Sequence, residues 1–173
     1  GFSKFVSLGN KVGVTELEVL HYLKDDPKTS VIIMYLEDIV KGQEFIELSR
    51  EITGEIAKTK PILVIKSGRT KEGAKAASSH TGSLMGSDEV YDAVFAQSGV
   101  MRMNSAQEMF GLAVAFANQP LMKGNRVAIV TNAGGPGIMA TDACVKAGLK
   151  MAEMGSQTVS KLKEKLPPTS NFS

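Results

Sequence analysis

Short apolar runs that alternate with stretches of helical periodicity are the feature that most constrains the fold of this chain. The runs lie at residues 4–8, 31–36, 62–65, 100–103 and 127–130. They show no alternation of polar and apolar residues, which is typical of strands buried on both faces of a sheet. The stretches between them, such as 45–56 and 109–116, carry one apolar stripe each and predict amphipathic helices. Alternating strands and helices predict a doubly wound parallel α/β sheet.

Two capping boxes mark where helices should begin. Thr15 is followed by Glu18, and Ser105 by Glu108. In this arrangement the hydroxyl and the carboxylate bind backbone N–H groups that have no partner within the first turn. Helices are therefore predicted to begin near residues 16 and 106.

The segment Asn118-Gln119-Pro120, after which a new strand and helix pattern begins, predicts a boundary between two units, 1–119 and 120–173. The second unit is predicted to contain a strand at 126–131, a helix at 136–147, a short strand at 149–153 and a helix at 157–165. Because it stops after so few elements, we interpret it as the beginning of a second domain of the same α/β type.

Charge and composition do not indicate a macromolecular partner. The net charge of the 173 residues is +2, with no long basic run, so neither a nucleic-acid nor a membrane partner is predicted. The apolar runs are far shorter than the ~20 residues of a membrane-spanning helix. Cys144 is the only cysteine and the first residues do not resemble a signal peptide, which favours a reducing compartment, the cytoplasm.

The first candidate site follows the strand at 62–66, at the sheet edge where open α/β sheets bind ligands. His80 lies there within a run of small polar residues. Their hydroxyls and backbone N–H groups can hold an anion, and an imidazole can act as a nucleophile toward phosphorus. A structural role for this loop histidine stays open, and His21, in a helix, is given no role. The anion-holding residues are Ser79, Thr81, Gly82 and Ser83.

The second candidate site is the glycine-rich turn at residues 131–137. Gly134, Gly135 and Gly137 lie between a strand and a helix predicted to open at Pro136 or Gly137. Exposed N–H groups at such a helix end can bind an anion. The turn matches neither a P-loop nor a dinucleotide fingerprint, and a tight turn without a ligand explains it equally well.

Charged residues near the first site complete the candidate set. Glu37 and Asp38 follow the strand at 31–36, so at least one carboxylate should reach the edge that carries His80, where it could orient the ring. Solvated turn residues are the alternative. Basic residues that could neutralise phosphate, or simply be solvated, are Arg69, Lys71 and Lys75.

Three segments together resemble a known family. They are residues 1–10 (GFSKFVSLGN), 76–83 (AASSHTGS) and 125–137 (NRVAIVTNAGGPG). In this order they are similar to the ADP-forming acyl-CoA synthetases, especially the alpha part of the acetyl-CoA synthetases, which are relatives of succinyl-CoA synthetase. The resemblance extends over essentially the whole chain.

The resemblance implies an acid–thiol ligase that works through a phosphohistidine. Acyl-CoA and phosphate give an acyl phosphate, whose phosphoryl group passes to a histidine and then to ADP. By resemblance His80 is that histidine, Glu37 is the carboxylate that orients it, and the turn at 134–137 is one of two helix ends that face the phosphate. The implied fold is a pair of flavodoxin-like domains.

The resemblance also implies parts that these residues do not supply. Family members carry a CoA-binding domain and an ATP-grasp domain or subunit, and this chain is expected to lack both, together with the first strand and helix of its first domain. We therefore expect a fragment of an oligomeric enzyme that does not turn over alone. CoA and ADP or ATP with Mg²⁺ are the implied substrates; no bound metal, and no covalent group other than transient phosphate, is expected.

Two alternatives belong to other functional classes. A non-catalytic, synthetase-like regulatory module of a protein acetyltransferase would keep the fold without the reaction. A flavin-binding, flavodoxin-like domain is the other, although Trp is absent and only 3 Tyr and 7 Phe could stack on the ring. An absorbance spectrum distinguishes the flavin domain.

A missing first strand also predicts how the sheet is completed. In the flavodoxin-like order that strand is central, so its loss would leave unpaired edges. The hypothesis is that the strand at 126–131 fills this slot between 4–8 and 31–36, within the chain or from a second copy.

Overall fold

The structure is a computed structural model that describes residues 1–54, 59–75, 87–120, 122 and 124–172. It divides into two compact units, Gly1–Pro120 and Leu121–Ser173. The first contains α1 (Glu16–Asp25), β1 (Ile32–Leu36), α2 (Gly42–Gly54), β2 (Ile62–Lys66), α3 (Asp88–Ser98), β3 (Met101–Arg102) and α4 (Ala106–Asn118). The second contains β4 (Arg126–Val127), α5 (Gly134–Lys146), β5 (Lys150–Met151) and α6 (Ser156–Lys163). Among the described residues no helix is both long and apolar enough to cross a membrane.

The first unit is built on a parallel sheet with strand order β1-β2-β3. Ile32 lies opposite Ile62 and Leu36 opposite Lys66, so the first two strands are in register along their whole length. Leu63 is paired with Met101 on the other side of β2. The carboxyl ends of β1 and β2 therefore lie side by side at one edge.

The sheet is covered on both faces, because alternate strand residues point to opposite sides. On one face Ile32, Leu36, Ile62 and Val64 pack in a core shared with α1, α2 and α3. On the other face Leu63 packs with Met109 of α4. The prediction of a doubly wound parallel α/β sheet is confirmed.

The two predicted helix starts are confirmed as well. Thr15 caps α1 in a complete capping box with Glu18. At α4 the Ser105 hydroxyl accepts a hydrogen bond from the Glu108 N–H at 3.1 Å. The Glu108 carboxylate accepts from the Asn104 N–H at 2.7 Å, one residue before the group that a capping box uses.

The predicted strand at 4–8 is wrong. These residues form no strand, and Phe5 is 88% exposed. Side chains hold the segment instead: Lys4 Nζ donates to Asp26 Oδ2 at 2.6 Å, and the hydroxyls of Ser3 and Thr29 lie 3.0 Å apart. An apolar run becomes a strand only where a neighbour supplies ladder hydrogen bonds and burial, and this segment has neither.

The hypothesis that 126–131 completes the first sheet is also wrong. The strand there is only Arg126–Val127, and it pairs in parallel with Lys150–Met151 of the second unit. Val130 is 92% exposed. A single helix, α5, connects β4 to β5. Pairing strands this close in sequence costs less loop entropy than pairing β4 with strands formed much earlier in the chain.

Candidate functional site

The carboxyl edge of the first sheet brings the ends of β1 and β2 together. Glu37 directly follows β1 and is half-buried, and Lys66 is the last residue of β2. The Ser67 N–H donates to the Leu36 carbonyl at 3.0 Å, which extends the ladder to the residue before Glu37. This is the edge at which parallel α/β sheets bind ligands.

A tight turn leads from this edge toward the segment that carries the candidate histidine. Gly68 has a positive φ of 72°, and a side chain at Gly73 would lie 3.3 Å from its Cα atom. The Thr70 hydroxyl accepts a hydrogen bond from the Gly73 N–H at 3.0 Å, which is the arrangement of a helix N-cap. Residues 71–75 are accordingly helical.

The core of the first predicted site lies outside the described residues. This holds for His80 and for its predicted anion-holding neighbours Ser79, Thr81, Gly82 and Ser83. Their roles stay predictions. The structure instead shows the side chains that line this edge on β1, β2, β3 and α3.

Lys66 is a site residue that the sequence analysis missed. Its side chain is only 2% exposed, its Nζ atom donates to the Ser67 carbonyl at 2.5 Å, and it lies 4.3 Å from the centre of the Tyr91 ring. Burial lowers the pKa of Lys66, although the carboxylates of Asp88, Asp38 and Glu37 oppose the shift. A cation that ends an otherwise apolar run, just before Ser67-Gly68, is the signal that could have identified it.

Asp88, the first residue of α3, links two arginines to this edge. Arg102 donates to its Oδ1 at 2.5 Å, and Arg69 Nε lies 3.6 Å from its Oδ2. Burial would raise the pKa of Asp88, but the hydrogen bond and charge of Arg102, together with the charges of Arg69 and Lys66, hold it below its ordinary value. Two arginines therefore pair with one ionised carboxylate, and the charge of Lys66 favours its ionised form as well.

The other basic candidates differ in their exposure and in their place relative to this edge. Arg69 also donates to Asn104 Oδ1 at 2.8 Å, so this side chain is part of the edge. Lys71 and Lys75 are exposed. His21 is exposed on α1, on an element that does not follow a strand of the sheet. No cluster of three or more His, Cys, Asp or Glu suited to a metal ion occurs among the residues that the structure describes.

In the second unit the glycine-rich turn opens α5, earlier than predicted. The helix begins at Gly134 rather than at Pro136 or Gly137, and no side chain caps its first N–H groups. Pro136 fits in this first turn because proline needs no hydrogen-bond partner for its nitrogen. A side chain at Gly137 would lie 3.0 Å from the Thr131 methyl carbon. Gly134 and Gly135 have open space around them, so the helix end is accessible to an anion.

Comparison with known proteins identifies similar sequences over nearly the whole chain. Residues 1–116 match the family model of the succinyl-CoA ligase-like flavodoxin domain. The 4-hydroxybutyrate–CoA ligase (ADP-forming) of Nitrosopumilus maritimus is 52% identical over 97% of this chain, which spans 24% of that protein. Subunit alpha of acetate–CoA ligase (ADP-forming) II from Pyrococcus furiosus is 46% identical over 97% of the chain, which spans 36% of it.

A solved structure agrees with these sequence relatives. The acetyl-coenzyme A synthetase 1 of Ca. Korarchaeum cryptofilum, determined with phosphate and ADP, superimposes with a TM-score of 0.86 at 36% identity. The match covers 96% of this chain and 36% of that one. The chain thus spans between a quarter and about a third of the relatives it matches.

Proposed function

Because the chain belongs to the family of succinyl-CoA ligase-like flavodoxin domains, we propose that it is the phosphohistidine-bearing part of an ADP-forming acyl-CoA ligase. The observation that carries this proposal is the match with ADP-forming CoA ligases over 97% of the chain. The charged carboxyl edge of the first sheet, directly before the segment with His80, supports it further.

The proposed reaction has three steps, each a transfer to an oxygen or nitrogen nucleophile. A phosphate oxygen attacks the thioester carbonyl, the C–S bond breaks, and CoA leaves as the thiol after taking a proton. A ring nitrogen of His80 then attacks the phosphorus of the acyl phosphate, and the carboxylate leaves. An oxygen of the ADP β-phosphate attacks the phosphohistidine, which forms ATP and restores the imidazole.

Glu37 is proposed to accept a hydrogen bond from the His80 ring nitrogen that does not attack phosphorus. A carboxylate in this position holds the ring in one tautomer and stabilises the cationic form that develops on attack. Glu37→Gln should slow phosphoryl transfer about 10²-fold while the fold is kept, which is a typical scale for a positioned acid–base group. Glu44→Gln, at an exposed position of α2, is the matched control.

The proposal also includes phosphate-binding residues of this chain and further parts outside it. Ser79, Thr81, Gly82 and Ser83 would hold the phosphoryl group in the first unit, and Gly134, Gly135 and Gly137 at the start of α5 would bind phosphate in the second. A CoA-binding domain and an ATP-grasp domain or subunit would bind the other substrates, with Mg²⁺ accompanying the nucleotide. The assembly would be an oligomer that acts in the cytoplasm, where these water-soluble substrates are available.

The test is phosphorylation of the full-length protein that carries this chain. After incubation with ATP and Mg²⁺, mass spectrometry should find an acid-labile phosphate on His80. His80→Ala should abolish this phosphate and the acyl-CoA-dependent synthesis of ATP.

His21→Ala is the control, because the chain contains 2 histidines. This variant should be phosphorylated like the wild type. Phosphate on His21, or wild-type turnover by His80→Ala, would contradict the proposed function. A wild-type protein that carries no phosphohistidine after incubation with ATP and Mg²⁺ would favour the non-catalytic regulatory module instead.

A further inference from the structure

Three charged side chains meet beneath the loop that follows β1. The Lys11 Nζ atom donates to Asp38 Oδ1 at 2.6 Å and to the Asp38 carbonyl oxygen at 2.7 Å. It also lies 3.0 Å from Glu16 Oε2. We call Lys11 and Glu16 the loop clamp, because Lys11 binds Asp38, the residue after Glu37, and Glu16 binds Lys11 and the backbone of Val40 in the same loop.

Glu16 holds the same loop at a second point. Its Oε1 atom accepts a hydrogen bond from the Val40 N–H at 2.9 Å, and the residue is 2% exposed. A buried carboxylate has a high desolvation cost, and an apolar residue of similar size is often at least as stable in its place. What the carboxylate adds is a defined position for the backbone of residues 38–40.

Lys11, whose side chain binds this loop, has a strained backbone conformation. Its φ is 55°, which makes it the non-glycine residue with positive φ in the part of the chain that the structure describes. The left-handed conformation is unfavourable for a side chain with a Cβ atom. It persists where surrounding contacts over-determine it, which is typical of functional sites.

We propose that Lys11 and Glu16 are positioning residues that hold Glu37 in place for phosphoryl transfer. Glu37 is fixed on one side by β1, which the Ser67 N–H extends at the Leu36 carbonyl. On the other side the clamp holds both the side chain and the carbonyl of Asp38. Only the side-chain torsions of Glu37 then stay free. The inference rests on the proposed function and adds to it the source of the geometry.

A double-mutant cycle in the full-length protein tests this inference. The measured quantity is the rate of phosphohistidine formation with ATP and Mg²⁺. Lys11→Met should slow it about tenfold or more, because a displacement of about 1 Å in a reacting group costs up to ~10²-fold. Lys11→Arg, which keeps the charge, should restore most of the rate.

The informative comparison is the same substitution in the Glu37→Gln background. If the clamp acts through Glu37, Lys11→Met should change the rate of Glu37→Gln by less than about twofold, because coupled residues are not additive. Equal slowing in both backgrounds would show a general structural role and overturn the inference.

Two further variants separate a loss of positioning from a loss of folding. Lys11→Met leaves the Glu16 charge buried and unpaired, so Lys11→Met/Glu16→Gln removes both charges if the single variant does not fold. Lys4→Met breaks a different ion pair, 2.6 Å long, between the first segment and Asp26 at the end of α1, and should leave the rate unchanged. A wild-type protein without phosphohistidine would overturn the proposed function and this inference together, whereas additivity overturns the inference alone.

Discussion

At the scale of single residues, Lys66 is the side chain whose position is hardest to explain by stability. Its ammonium group is buried against Tyr91 at the end of the middle strand, where desolvation disfavours the charge. A methionine has a similar shape and needs no solvation. The carboxylate of Asp88 offsets part of this cost, and we expect an anionic substrate at the ligand edge to offset more.

Lys66→Met should separate stability from activity. The free energy of unfolding should change by less than about 2 kcal/mol, because the desolvation cost of the buried ammonium offsets its hydrogen bond to the Ser67 carbonyl and its contact with Tyr91. Phosphohistidine formation should fall about tenfold, because the positive charge of Lys66 at this edge favours the developing phosphate charge. Thermal unfolding and the phosphorylation rate measure the two effects.

Lys60 is a matched control before the opposite end of β2. Its Nζ atom donates to the Leu23 and Asp26 carbonyls at 2.7 and 2.8 Å, so Lys60→Met should destabilise the fold without changing the rate per folded molecule. A Lys66→Met protein with a wild-type phosphorylation rate would remove Lys66 from the site.

At the scale of elements, Gly99 decides how α3 ends. It is the C-cap in the left-handed conformation, with φ of 70°, and a side chain there would lie 2.7 Å from Thr53 Oγ1 on α2. Gly99→Ala should lower the free energy of unfolding by about 2–3 kcal/mol, since backbone strain and a close contact add. Gly9→Ala, at φ of 53° with nothing within 4 Å, should cost only about 1 kcal/mol. Equal losses in denaturant unfolding would rule out the contact with Thr53.

The ion pair between the first segment and the end of α1 predicts a pH dependence. The hydrogen bond from Lys4, and then that from Thr29, lowers the pKa of Asp26 to about 2 from its ordinary 3.8. A carboxyl group with a lower pKa in the folded state stabilises the fold above its ordinary pKa, and this contribution is lost as the pH falls toward 2. Asp26→Asn should therefore unfold at a lower temperature than the wild type at neutral pH.

The difference in unfolding temperature between Asp26→Asn and wild type should shrink as the pH falls from about 4 to about 2, because the unfolded chain takes up the proton near the ordinary pKa of 3.8 while the folded carboxyl stays ionised until about 2. A difference that is constant with pH would show that the substitution acts through packing. A Glu51→Gln variant, which breaks the exposed pair with Lys24, should have a smaller effect throughout.

At the scale of the whole molecule, the two units differ in how much they bury. In the first, β2 contributes Ile62, Leu63, Val64 and Lys66 to the interior. In the second, none of residues 124–172 is buried, and Ile138 and Met139 on α5 are exposed. Local stability follows buried apolar contacts.

Hydrogen exchange of the 173-residue chain should report this difference directly. Amide groups of β2 and α2 should be the most protected, because they open only with the whole first unit. Amides of α5 and α6 should exchange at least about tenfold faster. Equal protection of α5 and β2 would contradict this account of the second unit.

The sequence alone was sufficient for features that depend on neighbouring residues. Apolar runs identified β1 and β2, and the hydroxyl–carboxylate pairs at Thr15 and Ser105 identified the starts of α1 and α4. Three motifs identified the family. All of these depend on short-range propensity, side-chain spacing or contiguous sequence, which a single chain displays directly.

Only the tertiary structure decided which distant residues meet. Residues 4–8 have the composition of a strand but no partner, and the clamp joins Lys11 to Asp38 across 27 positions of the chain. Lys66 reaches the Tyr91 ring on an element that follows a long connection. Such contacts depend on how helices and strands pack, and local sequence does not show that packing, because the same lysine or apolar run occurs in proteins both buried and exposed, according to the neighbours that the fold brings to it.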